Sequence, residues 1–436
     1  MLALFALLLP APLFEAPTLR GAQVSAYAVS AQTGAMLYQR DPDAAMVPAS
    51  TLKLVIGSAA LDELGTEFSF ATTLAADGST LYLRGSGDPL LEPGDFEDAA
   101  RALALQGQTR FIALSGDGAA TTNRYPAGWQ VDDLGEYYAA PPSALSIGEN
   151  TLHIAVHPGT PGVAPTLSVT PVTSVVTIIN DATTGAAHSD DTADVRIDWN
   201  HPNTLVVTGS VPADETDDEL DASMLDPAAV TLQLAGDVLA RGGVSFANPP
   251  QLGATPDGAR ILWTHRSPAL PQLLRAMWQP SDNLLAESLL DALAPTRDAA
   301  LARERTWLQS IGIDPTTATL ADGSGLSAYD RITPRDLVTI LAHDWNGPNR
   351  ATVLGALPVS GQSGTLQNAF TAPPLAGAVT AKTGTVNHTR TLAGYLQTPH
   401  GTVIFALMIN NWMDRGPHAT ADLRAFESTF LEAFFE

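Results

Sequence analysis

The chain has 436 residues, 45% hydrophobic and 16% charged, the balance of a globular protein with room for two or three domains and not of a disordered one. Its formal net charge of −24, from 22 basic and 46 acidic residues, repels nucleic acid and anionic lipid and excludes nucleic-acid binding as a function. With no cysteine there is no disulfide, no thiolate nucleophile and no cysteine-ligated zinc, a composition in keeping with export.

Residues 1–14 form an apolar run broken by Pro10 and Pro12, too short to span a bilayer comfortably. The run reads as the core of a signal segment over 1–22, although no Lys or Arg precedes it. Residues 23–30 and 35–40 alternate as strands joined by the turn Ala31-Gln32-Thr33-Gly34. From 51 to 64 Leu52, Val55, Ile56 and Ala59 recur at helical spacing, and Gly65 stops the helix. At its start, Pro48-Ala49-Ser50-Thr51-Leu52-Lys53 places a hydroxyl and an amine three residues apart. Residues so spaced share a helix face, so Ser50 and Lys53 meet as nucleophile and base, beside the free N–H groups of the first turn. Taken alone the pattern is weak, because a serine at a helix start is commonly just an N-cap.

Beyond Gly65 the character changes until about residue 250. Short β-type runs at 80–85, 151–156, 172–179 and 203–208 alternate with Gly, Pro and Asp turns. Partners of Ser50 must be adjacent to it in space, so this stretch leaves a core and returns to it as an insertion. Within it, 213–226 and 188–194 are rich in acids but lack the EF-hand spacing, and they read as solvated surface loops. The nine histidines are scattered with no His-Glu-x-x-His pair; they read as structural or exposed, and no metal site is expected.

From 268 onward helical patterns dominate. Pro280 ends one and Leu284 begins the next, with Ser281-Asp282-Asn283 between them. Thr333-Pro334-Arg335-Asp336 supplies a cap, a proline at the first helical position and an acid in the first turn. The chain then turns to strand at 376–381, which ends in Lys382-Thr383-Gly384-Thr385, and again at 391–398 and 403–409. The last of these is wholly apolar and reads as a central, doubly buried strand, entered through the turn Pro399-His400-Gly401. Leu423, Phe426, Phe430 and Phe434 lay one apolar stripe along a closing helix.

Ser-x-x-Lys, Ser-Asp-Asn and Lys-Thr-Gly in this order are the motif set of penicillin-binding proteins and class A β-lactamases. Together with Gly85-Ser86-Gly87-Asp88-Pro89, the stretch 129–138, Ser143-Ala144-Leu145-Ser146, Asp322-Gly323-Ser324-Gly325-Leu326-Ser327 and Leu357-Pro358-Val359-Ser360-Gly361, they give a more specific likeness. The sequence resembles the serine D-alanyl-D-alanine carboxypeptidases of the class C low-molecular-mass penicillin-binding protein type, peptidase family S13, over nearly its whole length. The resemblance implies an α/β fold: a DD-peptidase/β-lactamase-like transpeptidase core, an antiparallel sheet with helices, carrying a large β-rich insertion. Its expected parts are a catalytic domain at 23–69 and 255–436, an inserted domain at 70–165 and 213–254, and a small β domain nested at 166–212.

It implies as well an exported enzyme of the periplasm or cell envelope, with at most peripheral membrane contact and no cofactor. Such an enzyme acts on peptidoglycan stem peptides, as carboxypeptidase and also as endopeptidase, and is inhibited by β-lactams. Ser50 attacks and Lys53 takes its proton, with Lys382 as the neighbouring charge that lowers the Lys53 pKa. Ser281 relays a proton to the leaving amine and Asn283 holds the substrate amide. The N–H groups of Ser50 and Thr385 face the oxyanion, and Lys382, Thr383 and Thr385, around Gly384, bind the terminal carboxylate. In relatives the stretch 129–138 recognises the amine ending the third stem residue, which nominates Asp132 and Asp133 with Trp129 and Tyr138. One departure is visible: after Gly364-Thr365-Leu366, where relatives commonly carry an arginine, this chain has Gln367-Asn368-Ala369. The alternatives are a serine β-lactamase or esterase on the same core, and a non-catalytic penicillin sensor or wall-binding module.

Overall fold

The computed structural model describes residues 17–118, 125–413 and 419–436, so the apolar run at 1–14 lies outside the described residues. Residues 17–22, expected in the signal segment, already belong to the fold: Leu19 is buried and Thr18 Oγ1 donates to Asp422 Oδ2 at 2.7 Å. The chain divides into two compact units. The first comprises Met1–Phe68, Pro126–Gly128 and Ala269–Glu436, and the second Ser69–Tyr125 and Trp129–Pro268.

The first unit is built on an antiparallel sheet of five strands: β1 (Gln23–Ser30), β2 (Met36–Arg40), β3 (Val379–Val386), β4 (Thr389–Thr398) and β5 (Gly401–Asn410). Their order across the sheet is β3-β4-β5-β1-β2, which puts the apolar β5 at the centre with Val403 to Asn410 all buried. On one side Phe405, Leu407 and Ile409 pack with Leu423, Phe426 and Phe430 of α7 (Ala419–Glu432), the stripe read from the sequence. The remaining helices are α1 (Lys53–Glu63), α2 (Leu270–Trp278), α3 (Asn283–Ala292), α4 (Arg297–Ser310), α5 (Pro334–Asn346) and α6 (Arg350–Ala356). Thr333 and Asp336 close a reciprocal capping box at the start of α5, with Pro334 in its first turn.

Helix α1 is not the one-sided helix its spacing predicts. Every residue from Lys53 to Leu61 is buried, because α2, α3, α4 and α5 surround it. Gly57 makes room for this crowding, since a Cβ there would lie 2.2 Å from the Trp278 ring, whose Nε1 donates to the Lys53 carbonyl at 3.0 Å.

The second unit has a five-stranded mixed sheet, ordered Gln251–Leu252, Ala113–Asp117, Thr80–Arg84, Ala71–Asp77 and Arg260–Arg266, with smaller sheets beside it. Four expectations need correction here. Arg260–Arg266 pairs antiparallel with Ala71–Asp77, so 255–268 belong to this unit and not to the catalytic part. Thr166–Thr170 pairs with Thr151–His157 across the expected 165/166 boundary, and Leu205 and Val207 share one buried cluster with Leu152 and Leu239. Of 172–179 only 177–179 is strand, the first part of Thr177–Asn180. Thr173 Oγ1 accepts from Val175 N at 3.1 Å and donates to Gln233 at 2.7 Å, a local turn that takes the N–H a ladder would need. Part of the acidic stretch read as loop is also strand, Asp218–Ser223, where Asp221 lies 2.6 Å from His153 of the partner strand.

Replacing Gly57 by alanine drives a methyl group into Trp278 and is expected to destabilise the first unit by about 2 kcal/mol, the usual scale of overpacking. A thermal melt should show the loss, and the double change with Trp278→Leu should recover part of it; an unchanged melting temperature in Gly57→Ala contradicts the packing described.

Candidate active site

The first motif does not begin as an ordinary capped helix. Ala49–Leu52 forms a 3-10 turn ahead of α1, with Ala49 at a φ of 48°. Ser50 is thus inside a tight turn and not an N-cap, and Thr51 supplies the local hydroxyl bond, Oγ1 to the Pro48 carbonyl at 2.7 Å. The turn still brings the predicted pair together, with Lys53 Nζ 2.9 Å from Ser50 Oγ. Lys53 is fully buried, and two more oxygens meet its nitrogen: Asn283 Oδ1 at 2.5 Å and the Ser324 carbonyl at 2.7 Å. Burial lowers its pKa to about 8, against the pull of Asp322, Asp282 and Glu287, which favour the charged form.

The second motif joins α2 to α3. Asp282 caps α3, its Oδ1 accepting from Leu285 N at 2.5 Å, and this leaves Asn283 in the first turn facing Lys53. Ser281 stands before the cap at a φ of 73°, a left-handed conformation that a serine adopts only when its surroundings hold it. Its Oγ accepts from Lys382 Nζ at 2.9 Å, which links the second motif to the third.

Lys382-Thr383-Gly384 lies within β3 and not at a strand end, since pairing with β4 continues to Val386. Lys382 is fully buried, and its nitrogen also donates to the Thr383 carbonyl at 2.8 Å. Burial, reinforced by the Lys53 charge, holds its pKa well below the usual lysine value. Gly384 has a steric reason: a Cβ would lie 2.2 Å from Thr391 Oγ1 and 3.0 Å from Ser50 N, so only glycine lets β3 pass the serine turn. Thr383 Oγ1 donates to Thr365 Oγ1 at 2.8 Å, and exposed Thr385 accepts from Arg390, itself paired with buried Glu427.

The predicted Ser50, Lys53, Ser281, Asn283, Lys382, Thr383, Gly384 and Thr385 therefore converge in the first unit. Two participants were not assigned from sequence. Thr365 sits in the Gly364–Leu366 turn, noted only as a departure from the family pattern, and the Ser324 carbonyl is backbone, which carries no side-chain signal. Trp129, Asp132, Asp133 and Tyr138 belong to the second unit. There Tyr138 Oη donates to Asp133 Oδ1 at 3.1 Å, and burial together with Asp133 pushes the Tyr138 phenol up. Exposed Asp132 lines a cavity of about 480 Å³ with Glu136, Asp194 and Trp199, while Trp129 packs 6.2 Å from the Tyr125 ring. Among the described residues no cluster of histidines and carboxylates could hold a metal ion.

A buried amine beside an accessible hydroxyl, with a second buried amine a short distance along, suits acyl transfer to serine. A family model described as D-Ala-D-Ala carboxypeptidase 3 (S13) matches residues 9–430. A D-alanyl-D-alanine carboxypeptidase of Actinomadura sp. (strain R39) is 31% identical over 443 residues, covering 94% of this chain and 82% of the relative. Another, from Haemophilus influenzae, is 25% identical and covers 84% of this chain and 81% of the relative. The crystal structure of penicillin binding protein 4 from Haemophilus influenzae matches the fold with a TM-score of 0.88 at 24% identity, covering 100% of both chains. A peptidoglycan endopeptidase of Bdellovibrio bacteriovorus matches it more distantly, with a TM-score of 0.54 at 16% identity over 94% of this chain and 93% of that one. The motifs, the fold and a family model spanning nearly the whole sequence lead to one assignment: the chain belongs to the D-Ala-D-Ala carboxypeptidase 3 (S13) family.

Proposed function

We propose that this serine D-Ala-D-Ala carboxypeptidase cleaves peptidoglycan stem peptides through an acyl-enzyme on Ser50, with Lys53 as the base. The observation that carries this is the 2.9 Å contact between Lys53 Nζ and Ser50 Oγ, made by a lysine whose pKa burial has lowered to about 8. At pH 7 about a tenth of such an amine is neutral, against roughly one part in 2,500 at the ordinary value near 10.4. The neutral amine takes the Ser50 proton as Oγ bonds to the carbonyl carbon of the penultimate D-Ala. Charge that develops on the carbonyl oxygen is met by the N–H groups of Ser50 and Thr385, each such donor contributing about 3 kcal/mol. Lys382, with the Thr383 and Thr385 hydroxyls, binds the terminal carboxylate. Asn283 holds the substrate amide. Ser281, hydrogen-bonded to Lys382, passes the proton to the leaving D-alanine amine. Water then hydrolyses the acyl-enzyme.

A β-lactam offers a strained amide and a carboxylate to the same groups, so it acylates Ser50. Within the second unit Asp132 and Asp133, with the Trp129 and Tyr138 rings, recognise the amine of the third stem residue by a charge-assisted hydrogen bond and cation–π contact. Exposed Asp132 is the stronger candidate, because Asp133 already accepts from Tyr138. The protein is exported and works in the periplasm or cell envelope, where such peptides are found. No helix among the described residues is long and apolar enough to cross a membrane. A β-lactamase or esterase reading and a sensor reading are disfavoured, the first by the lack of an identifiable deacylating glutamate in the insertion and the second by the presence of Lys53 beside Ser50.

Intact-mass spectrometry after treatment with benzylpenicillin should show a stable adduct on the wild type and none on Ser50→Ala; an adduct that survives the change means a different nucleophile. The rate of that acylation should rise with pH to a plateau with a midpoint near 8, because only neutral Lys53 accepts the proton, and Lys53→Ala should abolish it at every pH. A flat profile from pH 6 to 9 removes Lys53 as base. D-Alanine release from a pentapeptide with a free third-residue amine should exceed that from its acetylated twin, and Asp132→Asn should erase most of the preference. Equal rates on the two peptides in the wild type dispose of the amine-recognition claim.

A further inference from the structure

Helix α3 presents two polar side chains one turn apart. Asn283 meets Lys53, and four residues on Glu287 is fully buried. Glu287 Oε1 accepts from the N–H groups of Gly323 at 3.0 Å and Ser324 at 2.8 Å, while Oε2 meets Arg297 at the start of α4. The carbonyl of that same Ser324 takes the hydrogen bond from Lys53 Nζ. Asp322 closes the turn from within, accepting from Gly325 N and Ser327 N at 2.7 Å each. A buried carboxylate is tolerated only when its lone pairs are filled, and here the filling comes from one turn and one guanidinium. The place of Glu287 and the place of the Ser324 carbonyl are therefore one constraint.

We propose that Glu287 is a positioning residue for this site: by gripping the Gly323 and Ser324 N–H groups it fixes the Ser324 carbonyl against Lys53 Nζ and brings a negative charge to the layer directly behind it. This rests on Lys53 acting as the base for Ser50. The charged groups around Lys53 are Asp282, Glu287, Asp322 and Lys382, and those around Glu287 are Arg297, Asp322, Asp330 and Glu304. Burial raises Glu304 to about 8, so at neutral pH it is mostly protonated, and burial also raises Asp330 well above the ordinary value. Burial also pushes Glu287 up, while the contact with Arg297 and the two N–H donors favour its ionised form. Through that charge Glu287 works against desolvation and favours the protonated form of Lys53.

The test is the pH profile of acylation by benzylpenicillin in the full chain, with Lys53→Ala as the control for the underlying reading. Glu287→Gln keeps an oxygen for the two N–H groups and removes the charge, so the midpoint of the acid limb should move down by about one pH unit. Glu287→Asp keeps the charge and shortens the reach, so the midpoint should stay while the plateau falls by about tenfold or more, as for any small misplacement of a reacting group. A purely structural role would reduce the fraction of protein that can be labelled and leave both quantities alone. An unmoved midpoint in Glu287→Gln, or an undiminished plateau in Glu287→Asp, overturns the proposal, and if Glu287→Gln does not fold the second variant decides. Acylation that is insensitive to Lys53→Ala defeats the base assignment and this inference together, a result distinct from failure of the Glu287 variants alone.

Discussion

The site depends on keeping two lysine amines out of water without giving either a carboxylate to touch. Lys53 donates to a serine, an asparagine and a backbone carbonyl, and Lys382 to a serine and a carbonyl, so every described acceptor is neutral. A carboxylate in direct contact would hold the proton on the nitrogen, because an ion pair in a dry place is far stronger than one in water. Neutral oxygens keep the amine in position and leave its charge negotiable. They also allow the contact with Ser50 to reverse: a charged Lys53 donates to Oγ, while a neutral one accepts the hydroxyl proton along the same 2.9 Å line. The acids that oppose burial stand one layer back, on the α3 cap, on the next turn of α3 and in the 322–327 turn.

Geometry around this pair is tight enough to require unusual backbone. Ala49, next to Ser50, and Ser281, whose hydroxyl meets Lys382, both have positive φ, and Gly325 passes so close to Ala49 that a Cβ would come within 1.9 Å of its carbonyl oxygen. Such conformations cost of order 1–3 kcal/mol each at non-glycine residues and survive only where the surroundings impose them. The surroundings here are the buried helix α1, the central sheet and the turns that cap it.

Much of this was legible in the sequence, and the limits have physical reasons. Side-chain spacing identified Ser50 with Lys53, while apolar runs identified β5 and the α7 stripe, because these signals depend on residues close together in the chain. The 3-10 turn at Ser50 has the sequence of an ordinary helix start, since a hydroxyl next to an apolar repeat looks the same in either case. Glu287 passes for a solvent-facing helix residue, because the groups it binds are backbone N–H groups that no residue type announces. The return of 260–266 to pair with 71–77 is likewise hidden: strand pairing at long range leaves no trace in either segment alone, and the second unit runs past 255 to Pro268. At 172–176 β-branched residues suggested strand, but their own hydroxyls diverted the backbone.

The order in which the chain is made gives the sheet a further consequence. Strand β1 lies between β2 and β5, and the segment that follows the first hairpin is tied to the end of β5 by Val47 N donating to Asn410 Oδ1, 363 residues apart. Until the last strand is synthesised the N-terminal hairpin has an open edge, and such an edge invites pairing with other chains. Closing so long a loop is also slow. Ser50 leaves the ribosome early, but the amine of Lys382 and the glycine that lets β3 pass the serine turn arrive only with the final stretch. A truncated chain therefore lacks the groups that the proposed reaction needs beside Ser50, and the site is completed in the same step that seals the sheet.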